Sequence, residues 1–381
     1  MKKQLLTILL GLGTLAVLAG VDPGMKKGTP EIKSISKLTF NDSGVLFLGD
    51  SESGAVYAID LNDNSQSDFE DQVNVLDLEG EIAAMLGTSS ENVLIHDMAV
   101  NPVSRNIYLS VSRARAKWKS RWELPNDLAN ADVLVKVTPQ KEFSIVELEN
   151  VDYSTVSIPN PVASDKEHKW KKGTKLRVDA ITDMVYHEGN IYVAGLSNEE
   201  FAASMWISPY PFKKDVKSST LEIYHGAHGE YETEAPIRTF LPYKLNNKSH
   251  IMAAYLCTPL VTFETDQLGS KTHVKGKTVA EFGSGNYPLD MVLYQNNGKD
   301  YVLMSNSQLP LLIFDPDDVE SFEGEINTEV EGYMAGVSYT PRSGSGVQEL
   351  EAFNEKFILA TQRLPSGKLS LVSFPKAWLR P

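Results

Sequence analysis

The chain has 381 residues and carries 36 Lys and Arg against 50 Asp and Glu, a formal net charge of −14. Such an acidic chain repels nucleic acid and anionic membranes, so neither is expected as a partner. The single cysteine, Cys257, has no second thiol in the chain to bridge with, so any stability must come from packing.

In chain order, the first segment reads as an export signal. Lys2 and Lys3 precede an uncharged apolar run over residues 5–18, and Val17-Leu18-Ala19 supplies the small or apolar residues that a signal peptidase reads. Val21 stands where a lipid-anchored protein would carry cysteine. No later apolar stretch reaches the roughly 20 residues of a membrane span. The expected organisation is a signal peptide over 1–20, a linker over 21–34 and one domain over 35–381, working outside the cytoplasm as a periplasmic or secreted protein.

The rest of the chain shows apolar alternation with period two. A signature recurs three times, in Ile95-His96-Asp97-Met98, Ile181-Thr182-Asp183-Met184 and Pro288-Leu289-Asp290-Met291. It marks the first strand of a four-stranded unit. Six units are predicted: 35–40, 45–49, 55–61 and 73–78; then 95–100, 106–112, 133–137 and 143–148; then 180–186, 190–196, 204–208 and 220–224. They continue with 237–243, 250–256, 260–264 and 278–282; then 288–294, 301–305, 311–314 and 325–331; and last 335–339, 357–361 and 369–374. The last unit lacks a fourth strand, which the N-terminal segment is expected to supply. Units that cannot bury both faces alone must stack, so the expected fold is an all-β propeller of six blades, with seven as the alternative.

Turn chemistry fits this division. Residues 41–44, 188–190 and 296–298 carry the Asn, Asp and Gly that tight turns between first and second strands require. Insertions at 113–132, 152–179 and 225–236 all fall at the end of the blades where first strands begin, so binding is expected there. Residues 340–350, rich in Gly and Ser, read as a flexible linker on the other face.

Several candidates share the loop-rich end. His225-Gly226-Ala227-His228-Gly229 lies between the third and fourth units, and Cys257 lies in a hairpin of the fourth. Two imidazoles and a thiolate suit copper or zinc, with Tyr255 and His96 as further ligands. Asp97, Asp183 and Asp290 begin first strands near the channel mouth, where they are expected either to hold a hard cation such as calcium or to staple neighbouring loops. The adjoining Met98, Met184 and Met291 are expected to fill the core. Basic insertions bearing Arg113, Trp118, Trp122 and Trp170, with Arg363 nearby, suit an anionic or sugar-like small molecule or a protein partner. No Gly-x-Ser-x-Gly elbow, phosphate-binding loop or haem attachment motif is present, so neither nucleotide nor haem is expected.

The segments 35–61, 96–111 and 290–314 resemble six-bladed propellers of the NHL, YncE-like and SMP-30 (gluconolactonase) group. The stretch from His225 to Glu232, with 253–259 and 288–291, is similar to uncharacterised secreted bacterial propeller proteins. Resemblance to the SMP-30 lactonases implies a calcium-like ion held by a Glu, two Asn and an Asp, a set that Asp97, Asp183, Asp290, Asn198 and Asn306 would imitate here without an evident Glu. Three functional expectations follow: a metal site at the channel mouth serving ligand binding or redox chemistry, a metal-dependent lactonase-like hydrolase, and a non-catalytic interaction scaffold.

Overall fold

The computed structural model describes residues 24–113, 132–169, 171–245, 248–256, 259–283, 285–331 and 334–380. The expected signal peptide lies outside these residues. Six mainly antiparallel sheets stand in a ring, the arrangement of a six-bladed β-propeller, and the outer strand of one, Lys217–His225, also pairs in parallel with Thr272–Lys275. Within the described residues no helix is long and apolar enough to cross a membrane.

From the axis outward, blade 1 consists of Lys37–Phe40, Leu46–Asp50, Ala55–Asp60 and Val151–Ser157, with Lys26–Gly28 added at its edge. Blade 2 is Leu94–Val100, Ile107–Ser112, Asp132–Val137 and Phe143–Ile145, and blade 3 is Asp183–His187, Asn190–Leu196, Ala203–Pro209 and Lys217–His225. Blade 4 is Ile237–Leu245, Lys248–Tyr255, Pro259–Glu264 and Lys277–Glu281; blade 5 is Pro288–Asn296, Lys299–Asn306, Leu311–Phe314 and Thr340–Arg342. Blade 6 has Val347–Ala352, Phe357–Arg363 and Leu369–Pro375.

The order of blades around the ring differs from their order in the chain. Inner strands pack in the sequence blade 2, 1, 3, 4, 5, 6 and back to 2. Apolar seams follow the same circuit: Leu46 and Leu48 of blade 1 meet Ala99 and Tyr108 of blade 2, whereas Phe47 and Val56 on the other face meet Met184 and Trp206 of blade 3. Blade 2 closes on blade 6 through Met98, Leu109, Leu359 and Leu371. To reach blade 3 the chain must pass blade 1 again, and it does so as that blade's fourth strand, Val151–Ser157.

Four expected strands are therefore corrected. Residues 73–78 do not join blade 1; Val75 exchanges two backbone hydrogen bonds with Leu371, at 2.8 and 2.9 Å, and closes blade 6. The very N-terminal segment, expected to close the ring, instead edges blade 1. Residues 325–331 are no strand, since Thr340–Arg342 completes blade 5. The first strand of blade 6 is Val347–Ala352 rather than 335–339, and Ala335–Gly336 pairs with the rim of blade 4. Residues 340–350, read as linker, thus contain two strand segments. Alternation within a segment shows that it is a strand but not which sheet edge it joins.

Turn and core expectations agree with the structure. Glu188 and Gly189 have φ of 46° and 78°, and Asn297 and Gly298 have 54° and 76°, the left-handed pairs that tight hairpins need. Met98, Met184 and Met291 are buried.

Candidate functional site

Two groups of polar side chains stand at the end of the blades where first strands begin, one on the axis and one at the rim. The axial group explains the repeated Asp-Met signature. Asp97 Oδ2 accepts the Leu38 amide at 2.6 Å, Asp183 Oδ2 accepts that of Phe240 at 2.8 Å, and Asp290 Oδ2 accepts that of Leu350 at 2.6 Å. Each aspartate thereby fastens its own inner strand to the next, joining blade 2 to 1, 3 to 4 and 5 to 6 in one rotational sense. Their remaining oxygens are engaged as well. Asp97 Oδ1 meets Lys37 Nζ at 2.9 Å, Asp183 Oδ1 accepts the Met184 amide, and Asp290 Oδ1 accepts the Met291 amide and the Thr239 hydroxyl.

Sequence reasoning missed the rest of this ring. Lys37, Glu349 and Glu351 interact electrostatically with the aspartates, and Arg238 with Lys37 and Glu349, so every blade contributes at least one charged residue. Register shifts in the first strands of blades 2, 4, 5 and 6 fall at this end and re-aim His96, Arg238, Leu289 and Gln348-Glu349. The signal was available only as scattered charges in apolar strands. Burial raises the Asp183 and Asp290 carboxyls to about 7 and that of Glu349 to about 8, in spite of the Lys37 charge. Burial alone would loosen the Lys37 proton, but the neighbouring Asp97 charge holds it above the ordinary lysine range.

The rim group is built on the outer strand of blade 3. Lys217–His225 ends in a turn in which the His228 and Gly229 amides both donate to the His225 carbonyl, at 3.1 and 2.9 Å. Gly229 takes φ of 67°, and the chain returns as Glu230–Glu232, paired with Ile223–His225. This hairpin folds His228 back over His225, with ring centroids 3.9 Å apart. Glu232 Oε1 lies 3.0 Å from His225 Nδ1 and 2.6 Å from His228 Nδ1. Burial would raise the Glu232 carboxyl, but hydrogen bonds from both imidazoles hold it below the usual range.

Ligand atoms of His225, His228 and Glu232 all lie within 4.8 Å of one another, and among the described residues no other trio of His, Cys, Asp or Glu does so. The axial aspartates therefore form no such group. His225 is fully buried whereas the His228 side chain is 44% exposed, so the cluster has a closed and an open side. On the closed side Glu281, from the outer strand of blade 4, accepts the Gly226 amide at 2.6 Å and brings Oε2 to 4.0 Å from His225 Nε2.

The other sequence candidates are dispersed. His96 is expected at the metal cluster but lies in blade 2, with blade 1 between it and blade 3. There its Nε2 bonds to Ser112 Oγ, which donates to Asp132 at 2.6 Å, and burial lowers its pKa. Tyr255 is buried in the seam of blades 3 and 4, and its hydroxyl has no hydrogen-bond partner among the described residues. Arg363 makes a two-pronged ion pair with Glu79, at 2.6 and 2.8 Å, and so does not present a free charge to a ligand. Asn306 accepts the Asn286 amide group at 3.0 Å, and Asn198 is exposed beside Asn160. Neither is shown with the aspartates as a calcium set. Arg113 ends the described part of its loop; Trp118, Trp122, Trp170 and Cys257 lie outside the described residues.

The His225–His228–Glu232 trio is thus at the expected end of the ring but not at the channel mouth. Sorting loops by strand order identifies the face, whereas the distance from the axis depends on whether a first or a fourth strand carries the residue. Glu232 is the member of the trio that spacing did not reveal, because it enters by pairing across the hairpin.

No protein-family model matches this chain, and no curated protein sequence matches it. Among solved structures, a chain from Kuenenia stuttgartiensis hydrazine synthase is similar over 91% of this chain and 97% of that one, at 11% identity and a TM-score of 0.37. That likeness says nothing of this chain's chemistry.

Proposed function

We propose that this protein is an exported propeller that binds a divalent metal at its rim, with His225, His228 and Glu232 as ligands. The convergence of two imidazole nitrogens and one carboxylate oxygen on a single space supports the reading. Two nitrogens and one oxygen form a donor set suited to zinc or copper, and three protein ligands leave a fourth position for water or another ligand. The exposed edge of His228 provides access. A lactonase-like reading would draw on the axial aspartates, but those carboxylates are already bound to backbone amides of the adjoining blades.

Titration of the metal-stripped protein with zinc and with copper tests the proposal. One equivalent should bind, and His228→Ala or Glu232→Gln should weaken binding at least ~10-fold, because each removes one of three ligands. Affinity should also fall on acidification, since metal and protons compete for the same atoms. Absence of uptake, or uptake indifferent to both substitutions, would contradict it.

A further inference from the structure

We infer that the segment 324–331 is a strap that completes this metal site, with Glu329 as the fourth ligand. The inference rests on the metal-binding reading above. The strap leaves blade 5 after the helix Pro316–Ser321 and crosses to the seam of blades 3 and 4, where two backbone bonds fasten it. The Ile326 amide donates to the Thr278 carbonyl at 2.9 Å, and the Val330 amide donates to the Gly226 carbonyl at 3.0 Å.

Both glycines of the His225–Gly229 turn serve as seats for this strap. A Cβ on Gly226 would stand 2.8 Å from the side chains of Ile326 and Val330, too close for any residue but glycine. At the other end, a Cβ on Gly229 would meet Cβ, Cγ and Cδ of Glu329 at 3.3 to 3.5 Å. The Glu329 side chain therefore lies along the backbone of the residue next to His228. It is also on an exposed stretch, and His228 is the open side of the triad.

A tetrahedral ion on three ligands needs one more, and a second carboxylate would leave a divalent ion neutral overall. Ligation would turn the exposed Glu329 carboxylate from its place beside Gly229 toward the triad. Metal occupancy would then tie blade 3, the rim of blade 4 and the excursion from blade 5 together.

Hydrogen–deuterium exchange of the full chain with and without zinc chloride, paired with zinc titration, tests this. Zinc should slow exchange over 324–331 at least ~10-fold in the natural sequence, because opening the strap would require losing a ligand. Glu329→Gln should still bind zinc, ~10- to 100-fold more weakly, and lose the protection; His228→Ala should lose both. Position 329 is exposed, and an unchanged thermal transition would verify folding of the variant. Zinc binding without protection of the strap, or Glu329→Gln indistinguishable from the natural chain, would overturn the strap while leaving the triad intact. No zinc uptake at all would overturn both.

Discussion

Asp97 and Asp183 occupy equivalent positions, yet their environments predict different costs of substitution. Asp97 neutralises a largely buried ammonium, since the Lys37 side chain is 14% exposed. Removing one partner of such a pair costs about 3–5 kcal/mol, because the remaining charge is stranded. Asp97→Ala should therefore lower the melting temperature steeply. Asp183→Asn keeps an oxygen for the Phe240 amide and replaces a carboxyl whose pKa is already about 7, so its cost should stay below about 1 kcal/mol at neutral pH. Thermal melts of the two variants compare them directly, and equal losses would contradict the argument. The aspartates were legible because their signature repeats; Glu349, Glu351 and Arg238 were not, because nothing in a single strand marks a charge as facing a common axis.

At the level of the element, individual strands could be read more readily than their partners. Alternation located most of the inner three strands of blades 1 to 5, because those strands are local and joined by short turns. Fourth strands were harder: three of the six expectations failed or needed relocation. Residues 73–75 show the reason, since burial of Val73 and Val75 is satisfied equally well at any sheet edge. Their pairing with blade 6 makes a prediction. Val75 and Leu371 form a hydrogen-bonded antiparallel pair, which places their Cα atoms about 5.5 Å apart, within disulfide reach. In a Cys257→Ser background, Val75→Cys with Leu371→Cys should crosslink on oxidation, detected by mass spectrometry of the digested protein. Val75→Cys with Tyr57→Cys, a residue of the blade 1 strand that 73–78 would have adjoined, should not.

For the whole molecule, the ring of charges makes stability depend on pH. Asp183 and Asp290 titrate near 7 in the fold against an ordinary 3.8, and Glu349 near 8 against 4.5. The folded state thus holds protons that the unfolded chain has released, and this contribution is complete below about pH 4 and lost as pH rises through 7 to 8. Glu232, shifted the other way, contributes stability that is present above its ordinary 4.5 and lost on acidification. Urea midpoints should accordingly decline between about pH 5 and pH 8, and the combined Asp183→Asn, Asp290→Asn and Glu349→Gln variant should show a flatter profile. A rising curve over that interval would show that the axial carboxylates are ionised throughout.

The same scale separates fold from site. Six repeats were enough to reveal the propeller, whereas the detour that places blade 1 between blades 2 and 3 depends on long-range packing that no repeat records. The His225–His228–Glu232 cluster was half legible: the two histidines in a glycine-flanked turn stood out, but their partner carboxylate arrives by strand pairing. X-ray absorption at the zinc edge of the loaded protein tests this centre most directly. Ligation by His225, His228 and two glutamates should give nitrogen and oxygen neighbours at about 2.0–2.2 Å with the outer-shell scattering of two imidazoles. A first shell containing sulfur at about 2.3 Å would put a thiolate in the position assigned to Glu329, and a spectrum lacking imidazole scattering would contradict the site itself.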